Sequence, residues 1–141
     1  MNKKLLTIFL SLFLVGILSI SCSNEDKTAP KGIEQYNGNS YVSVESYTVP
    51  QGTGYLWVSV KDSKVRMNAS SDQTSEPSYQ GYMDVTGSGT DYSFSTDYYG
   101  QPNGIEGTLK FAPDGSTVTV NYSKNLEMPS IEGQDIVCNK R

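Results

Sequence analysis

From residue 39 onward, apolar and polar residues alternate along most of the chain, and this period of two is the feature that most constrains the fold. Successive side chains of a β-strand point to opposite faces, so the alternation predicts strands that bury one face. Apart from an apolar run at the N-terminus, no segment has the spacing of an amphipathic helix of convincing length. The pattern therefore predicts an all-β domain.

Three turn sequences predict hairpins, because folding the chain about each of them places the flanking apolar residues on a single face. The turns lie at 61–64, 87–90 and 112–115. The last of them, Ala-Pro-Asp-Gly, combines a proline that fixes φ with a glycine that accepts a positive φ. The predicted opposite pairs are Val60–Val65, Val58–Met67, Leu56–Ala69, Phe111–Val118, Leu109–Val120, Gly107–Tyr122, Val85–Tyr92, Met83–Phe94 and Tyr79–Tyr98.

The hairpins and the remaining alternation predict an antiparallel meander of about eight strands, since most connections are short. Such a meander can close as a small barrel or form a two-sheet sandwich, and the sequence leaves both open. The long loops at 70–78 and 124–133 are the segments in which we expect binding residues. The predicted strands span 41–49, 54–61, 64–70, 79–86, 91–98, 104–112, 116–123 and 134–139.

The first 21 residues have the parts of a secretory signal peptide. Lys3 and Lys4 supply positive charge, residues 5–18 are almost all apolar, and the small residue Ser21 precedes Cys22. The apolar run is shorter than the roughly 18–20 residues that a bilayer-spanning helix requires. We therefore expect residues 1–21 to direct export and then to be removed.

A cysteine directly after this segment resembles the lipobox of bacterial lipoproteins, with Ser19 at a position where that family prefers an aliphatic residue. The resemblance implies that Cys22 is diacylated on sulfur and acylated at its new N-terminus, which anchors the protein to a membrane. Residues 24–27, Asn-Glu-Asp-Lys, resemble the acidic export signal of Bacteroidetes lipoproteins. That likeness implies an outer-membrane protein exposed at the cell surface.

The sequence divides behind the signal peptide into two parts. Residues 22–38 are predicted to be the lipidated cysteine and a flexible linker, and residues 39–141 a single β domain. Without the signal peptide, nine basic residues face fifteen acidic ones, so no nucleic-acid partner is expected. Acylation of Cys22 leaves Cys138 without a partner, and Cys138 is predicted to be a small buried apolar residue.

The residues that are absent limit the chemistry. The chain has no histidine, which excludes histidine-dependent nucleophilic triads and histidine-ligated metal sites. It has no Cys-x-x-Cys pair either. We therefore predict a protein that is not an enzyme and that has no cofactor or bound metal.

One pair of carboxylates requires an explanation. The predicted register places Asp97 opposite Glu106 on one neighbouring strand and opposite Gln80 on the other, and like charges directly opposite in a sheet are destabilising. The pair fits a glycan hydrolase with two carboxylates or a weak calcium site. The favoured interpretation is two exposed acids whose repulsion is relieved by water and by Lys110.

Aromatic residues suggest a binding surface. Four of them fall on the face opposite the apolar stripes and are predicted to lie outside the core, where aromatic side chains suit the binding of sugars or proteins. These residues are Tyr55, Trp57, Tyr82 and Tyr99.

An eight-stranded meander over residues 40–139 resembles the lipocalin barrel in outline, with Gly54-Tyr55-Leu56-Trp57 as the nearest equivalent of the lipocalin Gly-x-Trp motif. Two functions follow. The first is a non-enzymatic surface lipoprotein whose outer face or rim loops bind a glycan or a protein. The alternative, which the resemblance implies, is a carrier that holds a small apolar molecule inside the barrel.

Overall fold

The structure is a computed structural model that describes residues 31–78 and 81–141. The predicted signal peptide and the predicted lipidation site at Cys22 lie outside these residues. Within them, no helix has the length and apolar character required to cross a membrane. The elements are η1 (Ile33–Tyr36), β1 (Ser40–Ser43), β2 (Tyr47–Val49), β3 (Gly52–Lys61), β4 (Lys64–Ser70), β5 (Val85–Ser88), β6 (Asp91–Tyr98), β7 (Gln101–Phe111), β8 (Thr117–Asn125), η2 (Pro129–Ile131) and β9 (Asp135–Lys140), where η denotes a 3-10 turn.

The nine strands form one antiparallel sheet that is not closed. The strand order is β2-β3-β1-β9-β8-β7-β6-β5, and β4 also pairs with β3. The first strand therefore pairs with the last, and the all-β antiparallel meander predicted from the sequence is confirmed. The break lies between β4 and β5, where Val65 and Met83 form a single antiparallel bridge through N–H···O contacts of 2.9 and 2.7 Å.

Two predicted hairpins have the expected register in all six pairs, from Val60–Val65 to Gly107–Tyr122. The third is wrong by two residues, since Phe94 lies opposite Val85 and Tyr92 lies opposite Gly87. The cause is the position of the turn: its central residues are Gly89, with a φ of +66°, and Thr90, one place further along the chain than the predicted register requires. The predicted pair Tyr79–Tyr98 lies outside the described residues.

Two boundaries differ from those predicted. The predicted first strand divides into β1 and β2 around residues 44–46. The predicted linker ended at residue 38, but Ile33 and Tyr36 are only 6% and 5% exposed and belong to the core. The domain therefore begins before residue 39, because the apolar side chains of η1 pack against the inward-facing side chains of the strands.

The core lies on the inner face of the curved sheet and differs between its two ends. At the end formed by η1 and the turns near residues 89 and 115, the Tyr36 ring stacks on Phe111 at 3.9 Å, and Tyr41 and Tyr92 meet Phe111 edge-on. We call this the plugged end. The opposite end, formed by the turns at 50–51, 71–72, 99–100 and 126–134, is called the open end.

Cys138 lies between these ends on β9 and is completely buried, as predicted. Burial raises the pKa of its thiol to about 12. The thiol is therefore protonated at physiological pH and acts as an apolar core group.

Candidate functional site

A cleft of about 910 Å³ opens at the open end, beside the break between β4 and β5. It follows the last residues of β4, from Met67 to Ser70, and reaches the core. Its apolar floor is formed by Leu56, Met67, Ala69, Met83, Ile105, Tyr122 and Met128. Its polar rim includes Gln51, Thr53, Ser71, Asp72, Ser75, Glu76, Ser78, Thr96 and Glu127.

One donor in the cleft lacks a good acceptor. The Tyr122 hydroxyl donates to the Met67 Sδ at 3.6 Å, and a thioether sulfur is a weak acceptor. Burial raises the pKa of Tyr122, so this hydroxyl keeps its proton and can donate to a bound oxygen. The buried Asn68 amide, which has no hydrogen-bond partner among the residues that the structure describes, lies opposite Trp57 on the outer face of the sheet and not on the face of the floor.

The charges of the cleft are all negative. Its lining includes Asp72, Glu76 and Glu127, and no lysine or arginine occurs among the described residues that line it. The Asp72 carboxylate accepts hydrogen bonds of 2.7 Å from the backbone N–H and from the hydroxyl of Thr74, which lower its pKa. The rim is therefore negatively charged at neutral pH.

Residues 71–78, which we call the strap, leave β4 and cross the outer face of the sheet. The Glu76 carboxylate accepts hydrogen bonds from the Ser40 and Ser59 hydroxyls and pairs with the Arg66 guanidinium. Burial alone would raise the pKa of Glu76, but these three contacts together lower it below its ordinary value. Glu76 thus links the strap to β1, β3 and β4, and the Gln73 side chain adds a hydrogen bond of 2.9 Å to the Ser43 carbonyl on β1.

Trp57 lies beneath the strap. It is only 2% exposed, and its Nε1 donates to the Asp72 carbonyl at 2.9 Å. The prediction that Trp57 contributes to an exposed binding face is therefore wrong. The alternation correctly placed it on the outer face, but the strap covers that face at this position.

The other predicted aromatic residues are dispersed. Tyr55 and Tyr82 are half-buried, and the Arg66 guanidinium lies 5.0 Å from the centre of the Tyr82 ring. Tyr99 is 91% exposed and meets Tyr98 edge-on at 4.7 Å in the turn between β6 and β7. With Trp57 buried, the four residues do not form the continuous exposed face that was predicted.

The predicted carboxylate pair is also corrected. Ser95, not Asp97, lies opposite Glu106, because the chain turns at residues 99–100 and β7 begins at Gln101, earlier than the predicted start at residue 104. The Asp97 Oδ1 accepts from the Asn103 backbone N–H at 3.1 Å, so this carboxylate stabilises the turn. Within residues 31–78 and 81–141, no group of three or more His, Cys, Asp and Glu side chains could hold a metal ion. The predicted neighbour Gln80 lies outside the described residues.

The loops predicted to carry binding residues contribute much of the cleft. The strap supplies Asp72 and Glu76, and the loop after β8 supplies Glu127 and Met128. The individual residues were not predicted, because no motif marks them. The one usable signal was their position in the two longest irregular connections.

Comparison of the chain with protein-family models, curated proteins and solved structures finds no match. The cleft, the strap and the exposed turn of Tyr99 are therefore the observations from which function is inferred.

Proposed function

We propose that the chain is a surface-exposed lipoprotein of the outer membrane whose non-enzymatic β domain binds a small ligand in the cleft at its open end. The proposed attachment to the membrane is supported by the signal peptide and by Cys22 in the sequence. It is tested by growth with labelled palmitate, which the protein incorporates and a Cys22→Ala variant does not. Protease treatment of intact cells then removes the domain if it faces outward.

The cleft is the observation that supports ligand binding. Its volume of about 910 Å³ lies within the range of roughly 300–1,000 Å³ of small-molecule sites. Its apolar floor lies within a polar rim, whose side chains can orient a ligand by hydrogen bonding. The plugged end closes the opposite side of the core, so a ligand enters only at the open end. These features favour the carrier hypothesis over the predicted aromatic face.

Native mass spectrometry of the chain from Ser23 to Arg141, purified gently from its own cells, tests the carrier. A retained small mass supports it. A Met83→Trp variant fills the cleft and is expected to lose that mass, whereas Val137→Trp, at a residue 43% exposed on β9, keeps it. Retention by both variants would place the ligand elsewhere.

Tyr99 supports a second candidate, a glycan or protein partner bound at the turn between β6 and β7. Its side chain is 91% exposed, and exposed tyrosines supply rigid contact area in binding interfaces. A Tyr99→Asn variant tests it, because asparagine tolerates the positive φ of 45° at this position. Loss of binding on a glycan array or in a pull-down from cell envelopes would support this surface; unchanged binding would exclude it.

A further inference from the structure

We propose that the cleft accepts an uncharged amphiphile whose head group offers acceptor oxygens, and that it discriminates against fatty-acid carboxylates. This inference rests on the proposed function, since it names the class of ligand that the same cleft would hold. It follows from three properties of the lining: an apolar floor, the Tyr122 hydroxyl without a good acceptor, and a negatively charged rim.

The floor selects for an apolar chain. Met67, Met83 and Met128 line it, together with aliphatic side chains of β3, β4 and β7. Methionine side chains are flexible and polarisable, so they adapt to an alkyl chain better than to a rigid ring. Tyr122 is the only aromatic residue in the described lining, and it is nearly fully buried, so the described lining offers no open aromatic platform on which sugar rings stack.

The Tyr122 hydroxyl selects for a head group that accepts hydrogen bonds. A buried donor without a good acceptor is unfavourable, and this hydroxyl has only the Met67 sulfur, at 3.6 Å. A carbonyl or hydroxyl oxygen of a ligand is a stronger acceptor than that sulfur and would satisfy the donor.

The charge of the rim separates neutral ligands from anionic ones. A fatty acid also offers acceptor oxygens, but its carboxylate would meet Asp72 and Glu127, with no lysine or arginine in the described lining to balance them. Glu76 adds little to this repulsion, because Arg66 balances its charge. Like charges a few ångströms apart at a partly desolvated site repel each other. An amide, ester or alcohol keeps the acceptor oxygen without the charge.

Three decyl probes that differ only in the head group test this inference: decanamide, decanoate and decylammonium, each below its micellar concentration. All contacts described above lie within residues 31–141, so the chain from Ser23 retains them. In calorimetric titrations we expect decanamide to bind at least ten times more tightly than decanoate. Equal or tighter binding of decanoate overturns the inference and leaves the proposed function intact, whereas no binding by any probe overturns the proposed function itself.

Decylammonium separates the rim from the donor. It is attracted by the acids but has no oxygen for the Tyr122 hydroxyl. We therefore expect it to bind less tightly than decanamide. Binding ten times tighter than that of decanamide would mean that the acids alone govern selection, and would overturn the role of the Tyr122 hydroxyl.

Two variants assign the effects to residues. Glu127→Lys, at an exposed rim position, is expected to bring the affinities for decanoate and decanamide to within threefold of each other. The matched control is Glu34→Lys in η1 at the plugged end, which should leave the ratio of the decanoate and decanamide affinities unchanged.

Tyr122→Phe is expected to weaken decanamide binding about three- to tenfold, the usual effect of one hydrogen bond. An unchanged ratio in Glu127→Lys, or full decanamide affinity in Tyr122→Phe, contradicts the inference.

Discussion

The two ends of the core use aromatic residues differently. At the plugged end the tyrosine hydroxyls reach backbone carbonyls: Tyr41 donates to Gly115, and Tyr36 and Tyr92 both donate to Gly89. At the open end the Tyr122 hydroxyl reaches only the Met67 sulfur. The same side chain is thus a satisfied structural element at one end and an available donor at the other.

This contrast shows how one sheet can combine a rigid core with a cleft. The plugged end is filled by rings that stack or meet edge-on, and such close packing leaves little space. The open end is lined by methionines that can adapt their shape. We therefore expect stability to depend mainly on the plugged end, and binding mainly on the open end.

The largest expected effect is that of Phe111→Ala at the plugged end. Phe111 is 2% exposed and contacts the rings of Tyr36, Tyr41 and Tyr92, so its removal creates a cavity that stiff rings cannot fill. We expect a loss of about 4 kcal/mol in the free energy of unfolding, measured with guanidinium chloride. A loss below about 2 kcal/mol would mean that the plugged end does not dominate stability.

The next effect concerns the strap. Glu76→Ala removes the carboxylate that pairs with Arg66 and accepts from Ser40 and Ser59. A third of the Glu76 side chain is exposed, so the expected loss of about 2 kcal/mol lies between those of buried and surface ion pairs. Trp57 is the only tryptophan, and its emission should shift to longer wavelength if the strap is released. Glu45→Ala, at an exposed position, is the control and should change neither quantity.

The same carboxylate gives the stability a pH dependence. The folded pKa of Glu76 lies below its ordinary value of 4.5. Its contribution is therefore complete above that value and is lost as the pH falls through the folded pKa. Unfolding free energies between pH 7 and pH 3 should fall less steeply in Glu76→Gln than in the parent chain. Parallel curves would show that Glu76 does not contribute to acid sensitivity.

A smaller effect is expected at the floor of the cleft. Met83 is partly buried beside the break in the sheet, so Met83→Ala exposes little new surface and extends an existing cleft. We expect a loss of about 1 kcal/mol, clearly below the usual range for fully buried methionines. A loss as large as that of Phe111→Ala would remove the distinction between the two ends.

The sequence predicted the parts of this molecule that depend on local rules. The hairpin of Val60 and Val65 was predictable because alternation and turn chemistry agree on one register. At the hairpin of Val85, alternation and turn chemistry did not specify the register. A shift of the register by two residues keeps every side chain on its face, so alternation cannot detect such a shift. Alternation also does not specify which strands pair, so it did not predict the bridge between Met83 and Val65 or the position of the break in the sheet.

The site depended on contacts between distant segments and was not predictable in this way. Trp57 was placed on the correct face, but the strap that covers it has no alternation and is held by Glu76 across two strands. The cleft likewise combines residues of β3, β4, β7 and β8 with two loops. No local pattern specifies such a combination, so only the loops as a whole were predicted as binding segments.

The smallest effects give the most direct comparison of the two ends, because the same atom is removed from each. Tyr41→Phe deletes a hydroxyl that donates to the Gly115 carbonyl at 3.1 Å and accepts from Asn39, leaving a buried carbonyl without this donor. We expect a loss of about 1 kcal/mol. Tyr122→Phe deletes a hydroxyl whose acceptor is a sulfur atom at 3.6 Å, and should change the unfolding free energy by less than about 0.5 kcal/mol. Both are measured by the same chemical denaturation. Equal losses would mean that the Tyr122 hydroxyl is as well satisfied as that of Tyr41, and would leave the cleft without its available donor.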